Sequence, residues 1–253
     1  MWNWGERVEL EACLYTNAGG RDYNEDSADC RIDGGGGVFL LADGLGGHKG
    51  GEQASGLVVE AMLSAWDAEG ETLDAPDCRQ WLEDRVAEAN QALLSAQKEH
   101  HNSMKSTVVA LALKEGRAAW VHVGDSRLYY ISGSRLCSVT RDHSVTYKKY
   151  LAGEISREQI NFDEDRSSLL RVVGDETRCI PESGEPDGGF VHQGDAFLLC
   201  SDGFWEYLFD EEILIDYLKA ATPKAWAELM LVRALPRMRP GSDNLTLLTV
   251  FVS

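Results

Sequence analysis

Positive charge is scarce in this chain: 24 Lys and Arg stand against 42 Asp and Glu, for a formal net charge of −18. That balance excludes nucleic acid and an anionic membrane as the main partner, since both select cationic surfaces. The six cysteines, Cys13, Cys30, Cys78, Cys137, Cys179 and Cys200, are scattered without any Cys-x-x-Cys spacing. Structural zinc is therefore disfavoured and reduced thiols are expected. No apolar stretch is long enough to span a bilayer, and Met1-Trp2-Asn3-Trp4-Gly5-Glu6 has neither the basic region nor the long apolar segment of a secretory signal. The expectation is a cytoplasmic protein with no membrane insertion. A Pro/Ser-rich linker, an internal repeat, a Cys-x5-Arg phosphate loop and a Gly-x-Ser-x-Gly elbow are also missing. These absences disfavour separate domains, cysteinyl-phosphate chemistry and a serine-hydrolase elbow. With 43% hydrophobic residues over 253 positions, a single domain spanning residues 1–253 is the expectation.

What is present is a set of acidic residues at the ends of apolar runs. Val38-Phe39-Leu40-Leu41-Ala42 leads into Asp43-Gly44, Phe197-Leu198-Leu199-Cys200 leads into Ser201-Asp202-Gly203, and Ser242-Asp243-Asn244 precedes the apolar run Leu245 to Val252. Three carboxylates far apart in sequence are thus delivered to strand boundaries, two of them followed by a glycine that lets the backbone turn or approach a ligand. Gly124-Asp125-Ser126-Arg127 lies between the apolar runs Ala118–Val123 and Leu128–Ile131, a pattern that reads as a hairpin turn or as a fourth acidic strand end. Arg21-Asp22-Tyr23-Asn24-Glu25-Asp26 places one guanidinium four residues ahead of two carboxylates. Oxygen donors without cysteine or paired histidine select hard cations such as Mn²⁺ or Mg²⁺, and a planar guanidinium suits a phosphate. The combination points to phosphoester hydrolysis at a metal centre.

Between these motifs the pattern is legible element by element. Val8 to Thr16 alternates like a half-buried strand, with Trp2 and Trp4 ahead of it expected to cover an edge of the core, and Gly34 to Gly37 reads as a hairpin turn. Ala54, Leu57, Val58, Ala61, Met62 and Ala65 form a one-sided helical stripe, and Leu82, Val86, Ala89, Leu93 and Ala96 form a second between about Asp77 and His101. A polar, charge-mixed excursion opens at Thr140-Arg141-Asp142-His143-Ser144 and reaches about Glu185, as a flap beside a site would. Within it Ser156-Arg157-Glu158-Gln159 reads as a capping box. Two more helices follow, Asp210 to Leu218 with Asp210 as cap and Thr222 to Ala234 starting at Thr222-Pro223, before the closing strand. Strand runs separated by helix pairs predict an α+β fold of antiparallel sheets with helices outside.

Taken in order, Arg21-x-x-x-Glu25-Asp26, Ala42-Asp43-Gly44-x-Gly46-Gly47-His48, Gly124-Asp125-Ser126-Arg127, Ser201-Asp202-Gly203 and Asp243-Asn244-x-Thr246 resemble the motifs of the metal-dependent type 2C serine/threonine protein phosphatases, bacterial branch. The resemblance runs from about Val8 to Val252. It implies a four-layer αββα sandwich, two central antiparallel β-sheets flanked by helix pairs, and hydrolysis of phosphoserine and phosphothreonine in proteins without a covalent intermediate. It also implies two Mn²⁺ or Mg²⁺ ions with a possible third, and phosphorylated protein substrates of a cognate serine/threonine kinase. Carried over by position, Asp43 bridges the two ions and the Gly44 carbonyl assists; Asp202 and Asp243 hold one of them. Glu25 acts through a water on the metal, Asp26 supports the site, Asp125 holds the third ion and Arg21 grips the phosphate. Residues 143–184 form the flap. Leu45 stands where eukaryotic members carry a histidine after Asp-Gly, which leaves His48 as a substitute acid, and Lys105 stands where a glycine is common. The alternative reading is a catalytically silent, phosphoprotein-binding pseudophosphatase. The intact set of acidic positions weighs against it.

Overall fold

The computed structural model describes residues 9–46 and 50–253, the side chain of Asn161 excepted. Trp2, Trp4 and His48 lie outside the described residues. In chain order the elements are β1 (Leu10–Asn17), β2 (Asp26–Asp33), β3 (Gly36–Leu45), α1 (Gly50–Glu69), α2 (Cys78–His100), β4 (Lys105–Ser106), β5 (Val108–Lys114), β6 (Arg117–Val123), β7 (Arg127–Ser132) and β8 (Arg135–Val139). They continue with α3 (Val145–Leu151), β9 (Glu182–Gly184), β10 (Ala196–Cys200), α4 (Asp202–Trp205), α5 (Asp210–Lys219), α6 (Pro223–Ala234) and β11 (Leu245–Val252).

The strands build two antiparallel sheets, one ordered β1-β11-β10-β7-β8 and the other β2-β3-β5-β6-β9, with β4 added beside β3. Strand β3 shows why the sheets stack. Val38, Leu40 and Ala42 pack with Ala54, Val58, Met62, Leu82 and Val86 of α1 and α2, whereas Phe39 and Leu41 pack with Phe197, Leu199, Leu248 and Val250 of the other sheet. A strand covered on both faces has no need of alternation, so β3 and β5 read as continuous apolar runs. A third core closes the far side, where Trp226, Met230 and Ile213 of α5 and α6 meet Leu198, Cys200, Leu245 and Leu247. Three apolar layers separate four layers of secondary structure, α-β-β-α, as expected. The α5–α6 pair is also bolted by a two-pronged ion pair, Arg233 Nε and Nη2 donating to the buried Asp216 at 2.9 and 2.8 Å.

The structure corrects several local expectations. Gly124–Ser126 is not a hairpin: β6 belongs to one sheet and β7 to the other, so this segment carries the chain between sheets. Gly124 makes the step at φ +109°, with Thr107 Cγ2 only 2.6 Å from where a Cβ would stand. Asp43 is not the strand's end either; β3 continues to Leu45 by changing partners, pairing Gly44 and Leu45 with Ser106 and Lys105 of β4. Asp210 does not cap α5. The cap residue is Phe209, whose N–H donates to Glu212 Oε2 at 3.1 Å, while Asp210 accepts from Arg157 at 2.7 Å. Thr222 does cap α6, accepting from the Ala225 N–H at 3.1 Å, and Gln159 accepts from the Ser156 N–H at 2.7 Å as the capping box predicted.

The excursion after β8 is fastened at its stem. Val173 bridges to Ser106, Leu169 bridges to Ser144, and β9 pairs with β6. Asn90 Oδ1 accepts from the N–H of Gly174 at 2.7 Å, and Lys105, the residue in place of glycine, donates to Asp175 at 2.9 Å. The lysine therefore ties the β4 edge to the excursion. No helix among the described residues is long and apolar enough to cross a membrane.

The outer core yields a stability prediction. Trp226 is fully buried and its Nε1 donates to the Ile213 carbonyl at 3.1 Å. Replacing it by alanine should cost about 3–5 kcal/mol, read as a lower urea midpoint with little change in slope.

Candidate active site

Asp43 and Asp26 are direct cross-strand partners on β3 and β2. Like charges facing one another across a ladder are unfavourable, so the fold must hold them there by other means. Asp26 is buried; its Oδ2 accepts from Ser201 Oγ at 2.8 Å, across from the other sheet, and its Oδ1 has no partner. Asp43 is gripped through its backbone: its N–H donates to Thr107 Oγ1 at 2.9 Å and its carbonyl accepts from the Thr107 N–H at 2.8 Å. Thr107 Oγ1 lies 2.8 Å from Ser126 Oγ, which couples Asp43 to the crossover that carries Asp125.

Asp202 opens α4 directly after β10, and its Oδ1 is a second buried oxygen without a partner. Asp243 precedes β11 and accepts from Arg21 Nη2 at 2.9 Å at the exposed rim. Asn244 next to it organises the loop that brings in Glu25: its Oδ1 accepts from the Glu25 N–H at 2.8 Å, and its Nδ2 donates to the carbonyls of Tyr23 and Ala18 at 2.8 and 2.9 Å. The Glu25 carbonyl accepts in turn from the Gly44 N–H at 3.0 Å and from Ser55 Oγ at 2.6 Å. Gly51, in the first turn of α1, leaves a notch whose missing Cβ would stand 2.6 Å from Glu25 Oε1 and 2.7 Å from the Gly44 carbonyl. Only glycine keeps those two oxygens exposed to a common space.

The electrostatics follow from the crowding. The Asp43 carboxyl is pushed well above the usual carboxylate range by burial, then by Asp26, Asp202, Asp125 and Asp243. Asp202 is raised likewise by burial and by Asp125 and Asp243. Burial raises Asp26 to about 6, against the hydrogen bonds it accepts, and burial with neighbouring Asp142 raises Asp125 to about 7. Carboxylates from separate segments therefore sense one another strongly. Among the described residues no three acidic, histidine or cysteine side chains are already drawn together closely enough to hold a metal ion. Orphaned buried oxygens, an all-oxygen donor set and a glycine notch fit hard divalent cations.

The sequence-predicted Arg21, Glu25, Asp26, Asp43, Gly44, Asp125, Asp202 and Asp243 are all at or beside this space. Sequence reasoning missed the supporting groups. Asn244, Thr107 and Ser201 have the signature of polar residues beside acidic strand ends. His143 has no such signature: its ring stacks 4.4 Å from His122 and accepts through Nδ1 from the Gly124 N–H at 3.2 Å. Burial and the neighbouring His122 lower it to about 4, so it stays a neutral acceptor. Beneath Asp125, Trp205 Nε1 donates to the Asp125 carbonyl at 3.0 Å and stacks 3.4 Å from the guanidinium of Arg127, which grips buried Asp142 with two 2.7 Å hydrogen bonds. A cavity of about 180 Å³ lined by Asp125, Asp202, Asp243, Ser144, Arg166 and Glu206 opens from the site.

Two antiparallel sheets between helix pairs, with an oxygen-only acidic centre formed by segments of both sheets, define a four-layer sandwich with an acidic site suited to hard cations. The profile of the family described as Protein phosphatase 2C matches residues 19–233. Serine/threonine phosphatase stp of Listeria welshimeri is 32% identical over 91% of this chain and 90% of its own length. The crystal structure of Stp1, a serine/threonine phosphatase from Staphylococcus aureus, matches with a TM-score of 0.86 at 28% identity, covering 97% of this chain and 96% of that one. The catalytic domain of the phosphatase PstP, in complex with two manganese ions, matches with a TM-score of 0.79 at 29% identity over 97% and 98% of the two chains. The chain belongs to the protein phosphatase 2C family, in its bacterial branch, and is a protein-serine/threonine phosphatase.

The carboxylate crowding has a measurable sign. A carboxyl raised in the folded state makes the fold bind more protons than the unfolded chain, so stability falls as pH rises towards its folded value. His143, lowered to about 4, acts oppositely, but its contribution is complete above pH of about 6.5. In EDTA the melting temperature should therefore fall between pH 6.5 and 7.5, and saturating Mn²⁺ should raise it and flatten the dependence. Calorimetry at the two pH values, with and without the ion, checks both.

Proposed function

We propose that the chain removes phosphate from phosphoserine and phosphothreonine of proteins at a centre of two Mn²⁺ or Mg²⁺ ions, with Asp125 serving a third. The observation that carries this reading is the convergence of Asp26, Asp43, Asp125, Asp202 and Asp243 with two buried carboxylate oxygens left unsatisfied. Asp43 would serve both ions, Asp202 and Asp243 would hold one of them, and Glu25 with the Gly44 carbonyl would complete the set beside the Gly51 notch. When bound, such ions neutralise phosphoryl oxygens and lower the pKa of a water for in-line attack on phosphorus, with no covalent intermediate. Asp26, buried and held by Ser201, supports the site opposite Asp43. Arg21 is exposed, bonds Asp243 through one nitrogen, and has further donors in its planar fork for the substrate phosphate.

The domain acts as one unit across residues 1–253, with residues 143–184 as the flap beside the cavity. Its substrates are phosphoproteins of a cognate serine/threonine kinase in the cytoplasm. His48 remains a candidate acid for the leaving group. No observation favours the binding-only alternative, because every acidic position of the motif is present.

Phosphate release from a phosphothreonine peptide tests the reading. Mn²⁺ should support release and EDTA should abolish it. Asp43→Asn and Asp202→Asn should each lower kcat by about a hundredfold or more while the circular dichroism spectrum is kept; near-normal kcat in either would refute the assignment. Arg21→Ala should act mainly on KM, as loss of a phosphate contact made before the transition state does.

A further inference from the structure

A second cavity, of about 330 Å³, adjoins the one at the acidic centre, and the two share Ile160, Arg166, Trp205, Glu206, Tyr207 and Arg239 as lining. In a chain of net charge −18, this is where arginines gather: Arg127, Arg157, Arg166, Arg237 and Arg239 all line it. Three are committed to internal carboxylates. Arg127 holds Asp142, Arg157 holds Asp210, and Arg237 holds Glu212 through two 2.7 Å hydrogen bonds. Arg239 differs. Its guanidinium carbon lies 5.2 Å from the centroid of Phe162, and the carboxylate it acts on, Glu206, is shared with Arg166.

The placement matters as much as the charge. Arg239 comes from the loop that leads to Asp243, and Phe162 comes from the excursion between β8 and β9, so the pair spans the boundary between the acidic centre and the flap. A guanidinium resting near an aromatic face keeps its in-plane donors for an oxyanion, and the ring restricts the arginine to one side. Arg166 and Arg239 also act on Glu206, whose carboxyl is raised by burial and drawn down by both guanidinium groups. Arg166 and Arg239 thus place two guanidinium groups beside the single carboxylate of Glu206 in the part of the cavity shared with the acidic centre.

We propose that Arg239, backed by Phe162, forms a subsite for a second anionic group of the substrate protein, a phosphate or a carboxylate placed a few residues from the phosphoserine or phosphothreonine under attack. This rests on the phosphatase reading given above. An extended peptide advances about 3.3 Å per residue, so a side chain two to four residues away can enter the adjoining cavity while the phosphoresidue occupies the acidic centre. The subsite makes the enzyme prefer multiply phosphorylated or acidic segments. It also offsets the repulsion that a chain of this charge exerts on such segments.

The test uses the Mn²⁺-loaded protein and four phosphothreonine peptides that carry alanine, glutamate, phosphoserine or lysine at one flanking position, tried two to four residues away on either side. The glutamate or the phosphoserine peptide should exceed the alanine peptide in kcat/KM by about tenfold at low salt. A preference for phosphoserine alone identifies the occupant as a phosphate; a preference for both identifies any oxyanion. Arg239→Ala should erase the ratio, and Arg239→Glu should invert it in favour of the lysine peptide. Equal values for all peptides, or a ratio that survives Arg239→Ala, overturns the subsite. If no peptide is hydrolysed, the catalytic reading itself fails. The subsite is then judged by fluorescence anisotropy of the same labelled peptides on Asp43→Asn protein with and without Arg239→Ala, where equal affinities reject it.

Discussion

The mutual repulsion of the carboxylates at the joined ends of the two sheets is the constraint on which the rest of this structure depends. Asp43 is raised by burial and by four other aspartates at once, and Asp26 sits opposite it in the ladder. Left to themselves, such groups would splay into water or take up protons. What prevents the first is a set of neutral hydrogen bonds to their backbones and loops: Thr107 to Asp43, Asn244 to Glu25, Ser55 to the Glu25 carbonyl. Charges elsewhere in the fold are treated differently. Asp142, Asp216 and Glu212 each meet an arginine through two hydrogen bonds. Neutral bracing at the centre keeps its charge available for cations, whereas paired charges elsewhere serve structure.

The sandwich makes this bracing possible. Asp26 and Asp43 belong to one sheet and Asp202 and Asp243 flank strands of the other, so stacking the sheets brings the two sets together at one end. The Phe39, Leu41, Phe197, Leu199 and Leu248 layer fixes their separation, because close-packed interiors do not slide easily. Asp125 arrives by the crossover at Gly124, and the stacked His122–His143 pair and the Trp205–Arg127–Asp142 assembly hold that crossover from below. The stem of the excursion after β8 is tied to the same sheet through Asn90, Lys105 and β9. Acidic centre, crossover and excursion therefore share one support.

Much of this was readable along the chain. The helical stripe from Ala54 to Ala65 and the run from Leu245 to Val252 became α1 and β11, since apolar periodicity reports which face is buried. The Thr222-Pro223 start of α6 needed nothing beyond local hydrogen bonding. The failures were of another kind. Gly124–Ser126 looks like a hairpin because short polar breaks between apolar runs usually are, and only the sheet assignment of β6 and β7 shows that it crosses between sheets. Asp210 looks like a cap, yet Arg157 claims it from 53 residues away. His143 could not be seen as a support for Gly124, because its partners come from β6 and the excursion.

The amino-acid order by itself determined which carboxylates adjoin apolar runs, which faces of α1 and α2 are apolar, and the five motifs that mark the phosphatase family. These are local or short-range properties, set by residue type and spacing. Tertiary structure alone decided that Asn244 would hold the Glu25 loop, that Arg21 would rest on Asp243, and that Arg239 would stand over Phe162 beside the acidic centre. Each of those joins segments many tens of residues apart. No periodicity records them, because they follow from the stacking of the two sheets.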